Sequence, residues 1–373
     1  MKVIKFFHIS DIHIGMKFQS YSEKIREKLI EARFTALEKA VTEADARMCD
    51  VLAITGDLFE SIKVSKKNME RVQQILKAFN GEYIFVLPGN HDFYDSNLKL
   101  WGDFAQLSSD KTVLFTENKK HEMTIGDIKV TVYAAPCGSK HSERNNLGWI
   151  KDEKLDADTL NILLAHGAIK DISPDLNNNY FPMTLAELKD IQMDCCLLGH
   201  THVPYPAKDE VHHHTIFNAG TPEPDGLNYR YEGSGWFIEI DEEKNVHAKR
   251  IGLGSYRFFD TALEVSNDLD EADLMKALDA TEPQNSIIRL KLTGYLDKES
   301  YENRYALLNP LGDRFLYFEV NEDELRPKFT AAMIEESFMQ GSLPYTFLLK
   351  LLKETDEETA HYAYEFMMEV KND

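Results

Sequence analysis

With 373 residues and a hydrophobic fraction of 43%, the chain can hold one large core and a second, smaller domain. Its net charge of −21 argues against a simple nucleic-acid binder, and no run approaches the roughly 18–20 apolar residues of a membrane span. The opening MKVIKFFHISD reads as a short strand rather than a signal peptide, so a cytoplasmic protein with no membrane association is expected.

The charge is unevenly placed. Residues 260–373 hold 25 acids against 11 bases, a net of −14, whereas residues 1–259 hold 38 against 31, a net of −7. Two acids of the first part, Asp11 and Asp57, are candidate metal ligands, and bound cations would offset further charge. Bulk affinity for DNA should still be weak without a partner. Cys49, Cys137, Cys195 and Cys196 contain no Cys-x-x-Cys pair, which predicts reduced, buried thiols.

In chain order, VIKFFHIS reads as a strand, followed by a helix over 22–46 with Ile25, Leu29, Ala32, Ala36, Ala40 and Ala44 at helical spacing. DVLAITGD is the next strand. Ser65 is a candidate N-cap for a helix with Met69, Val72, Leu76 and Phe79 on one stripe, ending at Gly81. YIFVLPGNHD is a third strand, and HEMTIGDIKVTVYAAP a hairpin turning at Gly126-Asp127. LNILLAHG and MDCCLLGHTH read as buried strands with a short helix between them within 180–190, and TIFNAG and GWFIEID continue the strand-rich text. This alternation predicts a layered α/β core. After Gly252–Tyr256 the text reads strand (RFFDTALEV), helix (DLDEADLMKALDA), strand (SIIRLKL), helix (KESYENRYALL) and strand (RFLYFEV), then helical from Pro327 to the end.

Five short motifs stand at or near strand ends: Asp11-x-His13, Gly56-Asp57, Gly89-Asn90-His91-Asp92, His166-Gly167 and Gly199-His200-Thr201-His202. Together they offer carboxylate, imidazole and amide oxygen, a donor set suited to Mn²⁺, Fe²⁺ or Zn²⁺. Each alone is weak, since a lone histidine is more often a satisfied core residue; all five in this order, each after an apolar strand, point to a dinuclear metal site.

This order of motifs resembles the calcineurin-like metallophosphoesterase superfamily over residues 11–202. Within it, ISDIHIG, TGDLFE, LPGNHD and LGHTH with a following cap domain resemble the SbcD-type DNA repair exonucleases. The resemblance implies a layered β-sandwich metallophosphoesterase core flanked by helices over 1–256, a small α/β DNA-binding cap over 257–325, and a helical, partner-docking tail over 326–373. It also implies that Asp11, His13, Asp57 and His202 hold one divalent ion and that Asp57, Asn90, His166 and His200 hold the other. Asp57 bridges them, and a water between the ions is the nucleophile. The ions are expected to be Mn²⁺, with Fe²⁺, Zn²⁺ or Mg²⁺ as alternatives. His91 corresponds to the family's non-ligand histidine, which as imidazolium is expected to stabilise the transition state or protonate the leaving oxygen, and Asp92 is expected to orient it. Where some members carry a further histidine three residues after the bridging aspartate, this chain has Glu60. The expected partners are DNA, an SbcC-like ATPase of the SMC family, and a second copy of the chain.

Other features have plainer readings. Three consecutive histidines, His212–His214, cannot all converge on one ion from a strand, and His8 inside the first strand reads as structural. The rigid loop 221–225 is expected near the metals as a substrate-shaping element. Lys63, Lys66, Lys67 and Arg71 form the best local basic patch, either a phosphate contact or a solvated helix face. In the tail, Pro344 suits a helix start, Phe347, Leu348, Leu351 and Leu352 form a stripe, and Thr355-x-x-Glu358 is a candidate capping box for a helix presenting Ala363, Phe366, Met367 and Val370. The leading function is a two-metal DNA exonuclease, with endonuclease activity as a further capacity. The alternatives are a small-molecule phosphoesterase and a scaffold with vestigial catalysis.

Overall fold

A computed structural model describes residues 2–173, 179–229, 231–278 and 282–372. They fall into two compact units, Met1–Phe258 and Phe259–Asp373.

The first unit is a two-sheet sandwich between helical layers, built on β1 (Val3–Ile9), α1 (Glu23–Ala46), β2 (Val51–Thr55), α2 (Lys66–Lys77), β3 (Tyr83–Leu87), α3 (Leu100–Leu107), β4 (Thr112–Leu114), β5 (Lys119–Ile125), β6 (Ile128–Ala135), β7 (Leu160–His166), α4 (Leu185–Asp190), β8 (Cys195–Gly199), β9 (Glu210–His212), β10 (Ile216–Asn218), β11 (Ser234–Asp241) and β12 (Val246–Gly252). One sheet runs β4-β3-β2-β1-β11-β12-β9 and the other β10-β8-β7-β6-β5. Strands β1 to β4 are mutually parallel, as are β6, β7, β8 and β10.

Alternation along each strand divides the apolar side chains between two faces. Phe6, Ala53, Phe85, Val132, Ile162 and Leu197 meet between the sheets. Phe7, Leu52, Ile54 and Val86 face outward onto α1, α2 and α3, while Leu163, Ala165, Cys196 and Leu198 pack towards α4. Buried on both faces, β2, β7 and β8 are mostly apolar runs, with Asn161 inside β7 as the polar exception before the strand ends. The alanines of α1 at 32, 36, 40 and 44 are buried and let the helix lie close to the sheet.

The predicted strands, the 126–127 hairpin and the Ser65 cap are present; Ser65 Oγ accepts the Asn68 N–H at 3.2 Å. α2 stops at Lys77 rather than Gly81, its last turn closing through the Ala78 and Phe79 amides. The strand edge expected at His212–His214 is present as β9, the last strand of its sheet, whereas α3, β4 and β12, which are short or carry charged residues on an open face, are not marked by the sequence pattern. All four cysteines are buried and unpaired.

The second unit holds a three-stranded sheet, β13 (Arg257–Asn267, starting at the boundary), β14 (Ser286–Leu296) and β15 (Tyr317–Pro327), in sequence order. β14 and β15 are parallel, joined by the crossover helix α6 (Lys298–Gly312), and α5 (Glu271–Leu278) precedes them. Residues 279–280 of the predicted first helix lie outside the described residues. Leu274, Leu278, Leu308 and Leu311 cover Ile288, Leu290 and Leu292.

The tail forms α7 (Ala331–Ser337), α8 (Leu343–Glu354) and α9 (Glu357–Asn372) around a small core of its own, centred on Phe329, Ile334, Leu348 and Ala360. The expected Thr355 capping box is not formed. Asp356 caps α9 by accepting the Thr359 N–H at 2.8 Å, and the Thr355 hydroxyl donates back to the Leu351 carbonyl. The predicted stripe divides: Leu348, Leu351, Leu352, Ala363 and Met367 pack inward, while Phe347, Phe366 and Val370 stay exposed.

Candidate metal centre

Parallel strands end on one edge, so the loops after β1, β2 and β3 meet those after β7 and β8 across the mouth of the sandwich. Every predicted ligand lies on one of these five strand ends. The backbone turns sharply there: Asp11, His13, Asp57 and His200 have φ of 55°, 52°, 51° and 92°, left-handed values that non-glycine residues adopt at a cost of about 1–3 kcal/mol each. Gly56, with φ 96°, passes so close to the His166 ring that a Cβ would collide with it.

Two groups of donors result, Asp11/His13/His202 and Asp57/His166/His200. In the first, His13 Nε2 faces His202 Nε2 at 3.1 Å, and Asp11 Oδ1 lies 3.5 Å from His202 Nε2. In the second, Asn90 Oδ1 lies 3.0 Å from His166 Nε2 and 2.8 Å from His200 Nδ1. Asp57 Oδ2 stands between the groups, 3.8 Å from His13 Nε2 and 3.4 Å from His166 Nε2, while Asp57 Oδ1 accepts the His91 N–H at 2.8 Å. All seven predicted ligands are therefore brought together.

The donor set fits divalent ions. Two ligand atoms bound to one ion at about 2.0–2.2 Å and roughly right angles stand about 3 Å apart, the spacing seen within both groups. Asp11 Oδ1 is buried and accepts no hydrogen bond. The electrostatics agree: burial opposes ionisation of Asp57, but His166 and His13 outweigh it and hold its carboxyl well below the usual range. Burial likewise opposes ionisation of Asp11, yet His202 brings it down to about 2. In return, and again against burial, Asp57 lifts His166 to about 9 and Asp225 with Asp11 lifts His202 to about 10. His200 goes the other way, lowered to about 3 by burial and by His166. Buried anions here draw in positive charge, which is what divalent cations provide.

His91 lies beside the first group, its ring edge-on to His13 at 4.8 Å, and its Nδ1–H donates to the Glu60 carbonyl at 3.0 Å. The expectation that Asp92 orients His91 is corrected. Asp92 is fully buried and both its oxygens accept backbone N–H groups, from Gly89 at 2.7 Å and Phe59 at 3.0 Å. It fastens the loop after β3 to the loop after β2. The orienting contacts on His91 come from Glu60, whose carboxylate also reaches His13 Nδ1 at 2.9 Å. Burial and the nearby Asp57 charge raise Asp92 to about 7.

Loop 221–225 acts behind the ligands rather than in front of them. The Thr221 hydroxyl donates to the Asp11 carbonyl at 2.9 Å, and Asp225 Oδ2 lies 3.2 Å from His202 Nδ1. Asp225, Arg33 and the rings of Tyr180 and Tyr229 escaped the sequence reading. Arg33 is buried under the site and donates to the Glu223 carbonyl at 2.8 Å, while Tyr180 and Tyr229 lie against His200 and His202. An arginine inside the apolar face of α1 was the available signal.

The remaining candidates are structural. His8 Nε2 bonds the Thr55 hydroxyl at 2.8 Å, and burial lowers its pKa to about 3. His212 stacks on His247 and forms an exposed donor group with it and Glu210, whereas His214 lies against Tyr205 and Phe217, so the three consecutive histidines do not share one site. In the basic patch, Arg71 is engaged by Glu31 and Glu38, and Lys66 by Glu70 at 3.6 Å.

Comparison with known proteins places this site in context. The DNA double-strand break repair protein Mre11 of Methanopyrus kandleri is 23% identical over 295 residues, covering 72% of this chain and 61% of that protein. The chain thus spans under two-thirds of that relative's length. Among solved structures, purple acid phosphatase PPD1 of yellow lupin aligns at 11% identity and a TM-score of 0.43, covering 67% of this chain and 52% of that one. The NAD nucleotidase of Haemophilus influenzae aligns at 12% and 0.40, covering 84% and 60%. The family model described as calcineurin-like phosphoesterase matches residues 4–204, a stretch that contains all five motifs. The chain belongs to the calcineurin-like phosphoesterase family.

Proposed function

We propose that this phosphoesterase is a two-metal nuclease that hydrolyses DNA phosphodiester bonds, working from ends as an exonuclease, with Mn²⁺ as its ion. The observation that carries this reading is the pair of buried donor groups sharing Asp57, with His91 at their side. Asp11, His13, Asp57 and His202 would hold one ion, and Asp57, Asn90, His166 and His200 the other. Two such ions would lower the pKa of a water molecule and offset charge on the phosphoryl oxygens.

The chain's own groups do the rest. The His91 N–H fixes Asp57 Oδ1 and thereby aims Oδ2 between the two groups. With Nδ1–H committed to the Glu60 carbonyl, the Nε2–H of the imidazolium form is the end that would hand a proton to a leaving oxygen. Asp92 fastens the loop that carries His91, while the contacts on His91 itself come from Asp57 Oδ1 and the Glu60 carbonyl. The similarity to an Mre11 protein supports DNA as the substrate. The exposed Phe347, Phe366 and Val370 on α8 and α9 support docking of an SMC-like ATPase. Among the described residues no helix is long and apolar enough to cross a membrane.

A second reading, hydrolysis of small phosphodiesters, is favoured by one observation: Arg71 and Lys66 of the basic patch are tied to acids rather than free for phosphates. An assay with Mn²⁺ on linear DNA, closed circular DNA and bis(p-nitrophenyl) phosphate separates the two. Loss of linear DNA with circular DNA intact is expected; hydrolysis of the chromogenic diester with all DNA intact would replace the nuclease reading by the second.

A further inference from the structure

The two donor groups differ in what stands behind them. In the first, the imidazoles that face each other at 3.1 Å each have a carboxylate in ion-pair range of the outer nitrogen, in neither case aligned as a hydrogen bond: Glu60 Oε2 lies 2.9 Å from His13 Nδ1, and Asp225 Oδ2 lies 3.2 Å from His202 Nδ1. In the second group, His166 Nδ1–H donates to the neutral carbonyl of Thr55 at 2.8 Å, and His200, which turns Nδ1 inward, rests against the Tyr180 ring. Among the described residues neither imidazole ring has a carboxylate partner other than the bridging Asp57, although the His200 backbone N–H donates to Asp11 Oδ2 at 2.9 Å. The direct donors differ in the same sense. The first group contributes the carboxylate of Asp11, the second the neutral amide of Asn90.

A carboxylate on the far nitrogen of a ligand histidine fixes the tautomer, holds the ring in place and makes the other nitrogen a stronger donor; removing such a partner commonly weakens metal affinity by about 10–100-fold. Arg33 Nη2, 3.7 Å from Asp225 Oδ2, tempers only one of the two backing charges. Glu60 has a second task, since its carbonyl accepts from His91. It therefore ties one ligand of the first group to the proton donor.

We infer that Glu60 and Asp225 are positioning residues that make the Asp11/His13/His202 position the tight metal site, leaving the Asn90/His166/His200 position as the weak, exchangeable one. The inference rests on the dinuclear reading and assigns an order of loading within it. Glu60, where some relatives carry histidine, is on this account a metal-tuning side chain rather than a contact to substrate.

The test is direct titration of the full chain with Mn²⁺, following free Mn²⁺ by electron paramagnetic resonance, on the wild type and on Glu60→Gln, Asp225→Asn and Asn90→Ala. The expected wild-type result is two binding events whose dissociation constants differ by at least about tenfold. Glu60→Gln and Asp225→Asn should each weaken only the tighter event by about 10–100-fold, and Asn90→Ala should remove only the weaker one. Near-isosteric changes at two separate positions keep the test standing if one variant folds poorly. Two equal events in the wild type, or a tight event untouched by both backing variants, would overturn the assignment while leaving the dinuclear centre intact. A wild type that binds fewer than two ions would instead refute the dinuclear reading, and the loading order with it.

Discussion

The two units invert the expectation that net charge sets. The second unit carries 25 acids against 11 bases, yet among its described residues the buried polar side chains are Ser286 and His361. The first carries a net of only −7 but buries Asp11, Asp57, Asp92 and Glu223 together with His13, His166, Asn90 and Arg33. A solvated acid costs the fold little, whereas a buried one must be matched by partners or cations. The lesson is that function is marked by where charge is buried, not by how much there is.

The sharpest way to break this contrast is Asp57→Ala. It removes the proposed shared ligand, so bound Mn²⁺ should fall below two per chain and phosphodiester hydrolysis to background, read by elemental analysis and a chromogenic assay. Retention of both ions would show that the buried charge is structural. Next, His91→Ala should keep both ions and lose turnover by about 10²–10⁴-fold, as removal of a general acid does; full activity on DNA would remove His91 from the mechanism.

Asp92→Ala sharpens the difference between ligand and fastener. It leaves the Gly89 and Phe59 amides without their acceptor, at about 1–3 kcal/mol for each buried group. Urea unfolding should show that loss, and an unchanged midpoint would contradict the fastening role.

Glu223 offers a test by pH. It is buried and accepts the Ser255 and Tyr256 N–H groups at 2.7 and 2.9 Å; burial is the main cause that raises its pKa from 4.5 to about 7. Between those values the unfolded chain ionises while the folded chain keeps its proton, so this group's contribution to stability falls as pH rises from 4.5 to about 7 and is level outside that window. The full effect is about 3 kcal/mol at 1.36 kcal/mol per unit. Glu223→Gln should flatten the slope, and a variant with the wild-type pH dependence would remove Glu223 as its source.

The smallest effect is expected in the second unit. Phe366→Ser and Val370→Ser, exposed by 63% and 59%, should change stability by no more than about 0.5 kcal/mol while ending co-purification with an SMC-like ATPase. Undiminished association would locate the docking surface elsewhere.

Most of the first unit was legible in the order of its residues. β1, β2, β3, β7 and β8 are short runs of apolar and β-branched residues ending in glycine or polar motifs, and local patterns of that kind survive folding. The seven candidate ligands were legible for the same reason: each sits at the end of such a strand, and parallel strands carry their ends to one edge. The resemblance supplied their grouping. Tertiary structure alone decided what lies behind them. Asp225 meets His202 across 23 positions of chain, Arg33 reaches Glu223 across 190, and Glu60, not the adjacent Asp92, faces His91. These contacts depend on how loops from two sheets pack, and no local spacing encodes that. The C-terminal stripe failed as a unit for a related reason: helical periodicity says which residues share a face, but only the packing of α7, α8 and α9 decides which part of that face meets its own core.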